Sequence, residues 1–338
     1  MEHIVQRLIN TVFFIAISAV FSITTTAAVY AQGTDRSESG FSGRLQCGAI
    51  YLQTDSQLST DDSNRCTNCI DGPADTHEAT LALPSVLLRY RFEGGTAVYA
   101  GNPMEVLEGF ALETGVSRPM GIGTLDVSFN WTPGQEVWKN PYRTGAWENP
   151  YQTGNDRDKT AVNAYGMRVE LQDIAGTPLE VSYNIKSIDI EDDEIGDLDD
   201  DLKRTGRTHE LEAGYTLSIE PSFFLSPKIT CTYGDINGRS NSYNGIEFGI
   251  QMRSVRPSWG FAGILSGFAH QYQKTHPVFD TTRRESGITA FAQVMRLNLF
   301  GVERLFASIG AGYVLSDANI DFFDSQTIVG IAGVGLNL

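Results

Sequence analysis

After residue 40 the chain is a series of short segments in which apolar and polar residues alternate strictly. Successive side chains of a strand point to opposite faces, so each segment has one oily face and one wet face. Leu179, Val181, Tyr183 and Ile185 point one way, and Glu180, Ser182, Asn184 and Lys186 the other. Ile246, Phe248, Ile250 and Met252 oppose Glu247, Gln251 and Arg253 in the same manner. Fourteen segments read as strands: Phe41–Gln53, Val86–Glu93, Thr96–Gly101, Gly109–Arg118, Ile122–Asn130, Ala164–Asp173, Pro178–Ser187, His209–Ile219, Ser222–Asp235, Tyr243–Ser254, Ser258–Gln271, Ser286–Phe300, Glu303–Leu315 and Thr327–Leu338. Twelve is the alternative count, because Thr96–Gly101 is short.

The connections narrow the choice of fold. Gly94-Gly95, Pro119–Gly121, Ile174–Thr177, Glu220-Pro221, Val255–Pro257 and Gly301-Val302 are tight. Asp55–Ser85, Trp131–Asn163, Ile188–Thr208, Ile236–Ser242, Lys274–Glu285 and Ser316–Gln326 are longer, with Asn102–Glu108 between the two classes. Outer-membrane barrels have short periplasmic turns and long external loops, whereas a soluble β-sandwich has no need of that bias. The expected fold is therefore all-β: a transmembrane antiparallel up-and-down β-barrel at residues 41–338. Its expected place is the outer membrane of a Gram-negative bacterium.

The amino terminus agrees with export. Arg7 precedes the apolar run Thr11–Ile23, and small residues follow around Val29-Tyr30-Ala31. This pattern reads as a cleavable signal peptide over residues 1–31 and is too short for a spanning helix. Residues 32–40 then form a short polar periplasmic lead. No later apolar run reaches 18 residues, so no helical anchor is expected. A mean hydropathy of −0.17 suits a barrel, half of whose strand residues face water. The formal charge of −16 argues against nucleic acid as a partner.

Thirty-four glycines suit a sheet that must bend and close. Tyr51, Tyr90, Phe92, Phe110, Phe129, Tyr165, Tyr215, Trp259, Phe300 and Tyr313 lie near strand ends, where aromatic girdles form. Leu338, Leu336, Val334 and Ala332 make one apolar face of the last strand, as in the carboxy-terminal assembly signal of outer-membrane proteins; that signal usually ends on an aromatic residue, and here it ends on Leu338. Barrel assembly machinery, outer-membrane lipid and lipopolysaccharide are the partners this implies.

Four features bear on function. The inward faces carry Arg89, Arg91, Arg168, Lys186, Lys228 and Arg253 together with Glu93, Glu170, Glu180, Glu210, Glu212 and Glu247. Fourteen strands sit between the filled eight-strand barrels and the open sixteen-strand pores. The charges either line a wet pore or pair and plug the lumen; the wet pore is favoured.

Next, Trp138-Lys139-Asn140-Pro141-Tyr142-Arg143-Thr144-Gly145 is repeated as Trp147-Glu148-Asn149-Pro150-Tyr151-Gln152-Thr153-Gly154 within one long external loop. Asn-Pro opens a bend and Gly closes one. Trp138, Tyr142, Trp147 and Tyr151 either hold the loop together as a self-packed cap or form a contact platform for a glycan or apolar ligand.

The segment 189–201 is densely acidic, and lacks the glycine an EF-hand needs at its sixth position. A solvated loop is expected there, with loose divalent binding as the alternative. Finally, Cys66 and Cys69 sit in a polar loop of an exported chain, where a local disulfide is expected. Only His77 lies near enough to join a metal site, so none is expected. Cys47 and Cys231 fall in strands beside Leu45 and Ile229 and read as packing residues.

Gly40-Phe41-Ser42-Gly43, Gln57-Leu58-Ser59-Thr60, residues 147–157 and the closing stretch 316–324 carry a resemblance. The chain resembles a domain-of-unknown-function family of gammaproteobacterial proteins that read as outer-membrane barrels. It departs by doubling the Trp-x-Asn-Pro-Tyr unit and by the Cys66/Cys69 pair. The resemblance implies fold and location, and lends no activity, ligand or catalytic residue.

The functional expectation is a passive, porin-like channel for small solutes, with no cofactor. One alternative is a structural or surface-binding barrel with a plugged lumen and ligand-contacting external loops. An outer-membrane hydrolase is the second alternative. His209, His270 and His276 lie near strand rims, but no nucleophile–base spacing stands out and G-x-S-x-G is absent. No enzyme is expected.

Overall fold

A computed structural model describes residues 39–67, 70–102, 104–105, 109–144, 150–152 and 156–338. The expected signal peptide, Cys69 and Trp147 lie outside the described residues, as does all but the end of the periplasmic lead.

Fourteen antiparallel strands close into one barrel. They are β1 (Gly40–Thr54), β2 (His77–Arg91), β3 (Ala97–Gly101), β4 (Leu112–Met120), β5 (Gly123–Trp138), β6 (Lys159–Gln172), β7 (Leu179–Ile190), β8 (Gly206–Tyr215, continued by Leu217–Glu220), β9 (Phe223–Ile236), β10 (Tyr243–Val255), β11 (Trp259–His276), β12 (Thr281–Leu297), β13 (Leu305–Ala318) and β14 (Ser325–Asn337). Each strand pairs with its sequence neighbours. Closure comes from β1 on β14, in register from Arg44↔Asn337 to Thr54↔Thr327. A closed ring leaves no free edge strand, the condition for a sheet in lipid.

Alternation sorts the two faces. Phe248 is 59% exposed, Leu211 54% and Ile309 66%, and these side chains belong to an apolar outer band. Polar residues of the opposite parity on the wall strands are buried inside, among them Ser128, Ser182, Lys228 and Glu247. Such a band is tolerable only against acyl chains. The inner wall is tightly built. A Cβ added at Gly335 would lie 2.3 Å from the Phe306 ring, and one at Gly115 2.3 Å from the Tyr99 ring. Glycine there lets a ring from the next strand lie flat along the wall.

All the expected strands are present, in order; their external ends needed correction. Trp131–Asn163 is not all loop, because β5 runs on to Trp138 and β6 starts at Lys159. Likewise β2 starts at His77, β11 ends at His276 and β12 begins at Thr281. Only residues 277–280 remain as the connection expected over Lys274–Glu285. The reason is chemical: above the lipid the outer face is wet, so strands such as Gln271–Thr275 lose the oily half of the pattern. At the periplasmic end Glu93 and Phe300 lie in turns rather than strands. Phe300 is 90% exposed and sits at φ 54°.

Candidate functional site: the loop cluster at the mouth and the charged wall

The external connections are L1 (55–76), L2 (102–111), L3 (139–158), L4 (191–205), L5 (237–242), L6 (277–280) and L7 (319–324). Their apolar residues converge. Ile70 of L1, Tyr142 of L3, Ile195 and Leu202 of L4, and Ile320, Phe322 and Phe323 of L7 form one buried cluster, flanked by Val278 and Phe279 of L6. Fourteen strands spaced ~4.8 Å and tilted ~40° make a ring of ~14 Å radius. L1 and L4 stand six strands apart on that ring, as do L3 and L6. They meet because the loops cross the mouth.

Local chemistry explains the crossing. Asn140 accepts from Tyr142 N at 3.0 Å and donates to the Tyr151 carbonyl at 2.9 Å, fixing the bend that Asn-Pro announces. Tyr142 is thereby turned inward, where its hydroxyl meets His276 Nε2 at 2.9 Å. The Val278 N–H donates to His276 Nδ1 at 3.3 Å, so the neutral ring carries its proton on Nε2 and donates to Tyr142. Burial and the nearby Arg283 guanidinium push the His276 imidazole down to about 3. Burial raises the Tyr142 phenol to about 12. Both stay neutral at ordinary pH, which suits an apolar plug.

The aromatic repeat serves this plug. Trp138 is 1% exposed and donates from Nε1 to the Ser59 carbonyl at 2.9 Å. Arg157, fully buried, stands 6.0 Å from the Trp138 ring and donates to Gln57 O and Oε1 at 2.9 and 2.8 Å. Burial lowers its guanidinium to about 10, still a cation at neutral pH. Tyr151 is half-buried and donates to Asp199 Oδ2 at 2.8 Å. Trp138 and Tyr142 thus present no open face to a ligand, and of the two readings of the repeat the self-packed cap fits their placement.

The acidic segment is exposed at Asp189, Glu191, Asp192, Asp197 and Asp200, and several of its carboxylates are paired with cations. Asp193 binds Arg204 Nε at 2.8 Å, and Asp200 binds Lys203 at 2.5 Å. Asp192 pairs with Lys139, Glu194 with Arg143 and Asp201 with Lys274. Its short helix, Glu194–Leu198, sinks Ile195 into the plug. Among the described residues no group of three or more His, Cys, Asp or Glu side chains is placed to hold a metal ion.

Below the plug the inner wall is charged. Arg89, Arg91, Arg168, Glu170, Glu180, Lys186, Glu210, Glu212, Lys228, Glu247 and Arg253 all stand on the inward register of their strands. Lys228 Nζ bridges Glu180 at 2.8 Å and Glu212 at 2.9 Å. Arg168 reaches Glu170 at 3.3 Å and Glu212 at 3.7 Å. Asn184 donates to Glu210 at 3.1 Å, and the Arg253 guanidinium lies 4.7 Å from the Phe224 ring centre. Much of the inner charge is therefore paired.

Sequence reasoning passed over Arg44, Arg283 and Glu285. Arg44 lies 5.1 Å from the Phe306 ring, and Arg283 pairs with Glu285 at 2.5 Å beneath Phe323. The same parity rule would have found Arg44; Arg283 and Glu285 fell in a stretch read as loop.

Other expectations are placed as follows. Cys66 is exposed, with Sγ 2.9 Å from Asp156 Oδ1, while its expected partner Cys69 is among the undescribed residues. Cys47 and Cys231 are free on the lipid side. His209 stacks outward between Tyr183 and Tyr233, and His270 packs inward on Phe268 and Tyr243. Among the described residues none of the three rim histidines is hydrogen-bonded to a serine or carboxylate. A Ser–His contact does occur between L1 and the start of β2, Ser63 Oγ to His77 Nδ1 at 2.7 Å, beside the Asp61 cap of a 3₁₀ turn.

A closed antiparallel ring with an apolar outside, short turns at one end and long loops at the other is a β-barrel of the outer-membrane type. More particularly, the chain belongs to the family described as "Protein of unknown function (DUF2860)", which matches it over residues 40–337. No curated protein matches it. Among solved structures it is similar to the anion-selective porin from Comamonas acidovorans, at 11% identity over 89% of this chain and 100% of that one, TM-score 0.41. It is also similar to Pseudomonas aeruginosa OprD, at 12% identity over 90% of this chain and 98% of that one, TM-score 0.39. A Pseudomonas aeruginosa FadL homologue matches at 11% identity over 88% of this chain and 90% of that one, TM-score 0.39.

Proposed function

We propose that the protein is a gated channel for small polar solutes, held shut at rest by its own external loops. The observation that carries this is the Tyr142–His276 bond and the apolar cluster around it, which join loops from opposite sides of the mouth. A polar, charged wall beneath supports a path for polar solutes once the plug is displaced. No cofactor is required.

Planar-bilayer recording tests the proposal. The wild type should be silent or open rarely. The variant Tyr142→Ala/Phe322→Ala should show sustained conductance steps, with its strand content unchanged by circular dichroism. A folded double variant without steps would defeat the channel reading. It would favour instead a surface barrel with a plugged lumen, the reading supported by Lys228, whose side chain is only 2% exposed between Glu180 and Glu212.

A further inference from the structure

The outer wall carries a cavity of about 660 Å³ at its external rim, across β10–β13. Its floor comes from a register row, Ile246↔Ala269↔Ser286↔Asp317, in which small residues interrupt the bulky outer band. The row above is Asn244↔Gln271↔Arg284, all exposed. Two residues further towards the periplasm stand Phe248 and Ile288, 59% and 50% exposed to the lipid side. The groove therefore runs from amides and a guanidinium at its top into the acyl-contacting band at its foot.

The polar end is held in place. The Arg284 backbone N–H donates to Asn319 Oδ1 at 2.7 Å, and Asn319 Nδ2 donates to the Thr282 carbonyl at 3.0 Å. Asn319 is thus committed to the backbone, while the Arg284 guanidinium makes no ion pair with any described residue. Such a guanidinium offers the planar fork that suits phosphate. Asn244 and Gln271 both donate and accept, as sugar hydroxyls require, and Asp317 accepts a hydroxyl donor. A cavity of this size falls within the range of small-ligand sites.

We propose that this groove seats one lipid with a phosphorylated sugar headgroup, from the outer leaflet of the membrane. The phosphate lies on Arg284, sugar hydroxyls on Asn244, Gln271 and Asp317, and an acyl chain over Ala269 towards Phe248 and Ile288. Continuity with the lipid-contacting band favours a membrane lipid over a soluble sugar phosphate. The proposal does not depend on gating.

Native mass spectrometry of the purified full chain tests it. The probes are lipid A, an acylated bisphosphorylated glucosamine disaccharide, and phosphatidylglycerol, a phosphate lipid without sugar. The wild type should retain a single lipid A about tenfold over phosphatidylglycerol, the scale of one or two hydrogen bonds to the sugar hydroxyls that phosphatidylglycerol lacks. Ala269→Trp fills the floor and Arg284→Glu reverses the charge, and each should lower lipid A retention about tenfold. Should Ala269→Trp fail to assemble, the exposed Arg284→Glu carries the test alone. Equal retention of the two lipids by the wild type overturns the proposal, as does retention unchanged in Arg284→Glu.

Discussion

The wall and the plug are built on different physics. In the wall a side chain's direction follows from its parity along a strand, and the solvent for half of those side chains is lipid. In the plug, loops of unlike sequence bury Phe322, Ile195 and Leu202 against one another, as a water-soluble core does. The wall is secured by a closed ladder in which no strand can leave alone. The plug is secured by side-chain packing, buried hydrogen bonds and rim ion pairs, so it can loosen while the ring stays shut. A gate has to be made from the second kind of structure.

The largest test of that separation is Trp138→Ala. Removing a fully buried indole should cost ~3–5 kcal/mol of plug stability and leave the Ser59 carbonyl without its donor. Protease should then cut L1 and L3 while the barrel's strand content is kept. Joint loss of loops and strands would show that the two regions are one cooperative unit.

Acid should act next most strongly. His276 lies at the end of β11, above the membrane-spanning part, and is held neutral with both ring nitrogens bonded. Its imidazole titrates near 3 in the closed plug, against an ordinary value of ~6.5 once exposed. The open state therefore binds the proton more readily. The stabilisation is complete above pH ~6.5 and falls by about 1.4 kcal/mol per unit as pH drops from there towards 3. The charged group facing it from β12 is Arg283, which adds repulsion to the protonated ring. Channel opening or loop cleavage should rise between pH 6 and 4, and His276→Gln should flatten that rise. Opening that is independent of pH in the wild type would remove His276 from the plug's energetics.

The smallest effect belongs to the rim. Lys139→Ala breaks the pair with Asp192, whose side chains are 31% and 52% exposed. Screening by water and salt keeps that loss small. Proteolysis of L4 should change less than in Trp138→Ala, and by a margin that shrinks further in high salt.

Legibility in the sequence follows the same division. Parity placed Arg168, Glu212 and Lys228 on the inside because period two leaves a strand only two options. It failed above the membrane, at Lys159 and at Thr281, where both faces are wet and the pattern carries no signal. The tandem Trp-x-Asn-Pro-Tyr unit was visible, yet whether Trp138 faces a ligand or Ser59 depended on a loop some 80 positions away in the chain. The acidic run was visible too, but its partners Arg143 and Lys139 come from L3 and Lys274 from the end of β11.

The sequence by itself determined the closed ring, its order of strands, its oily outside and its ionic inside. All of these follow from local periodicity and from which connections are short. Only the tertiary structure decided that loops from opposite sides meet over the mouth, that acids of the 189–201 stretch pair with cations of other segments, and that Tyr142 reaches His276 across the ring. Those depend on contacts between residues far apart in the chain, and a pattern within any one segment carries no information about which other loop it will meet.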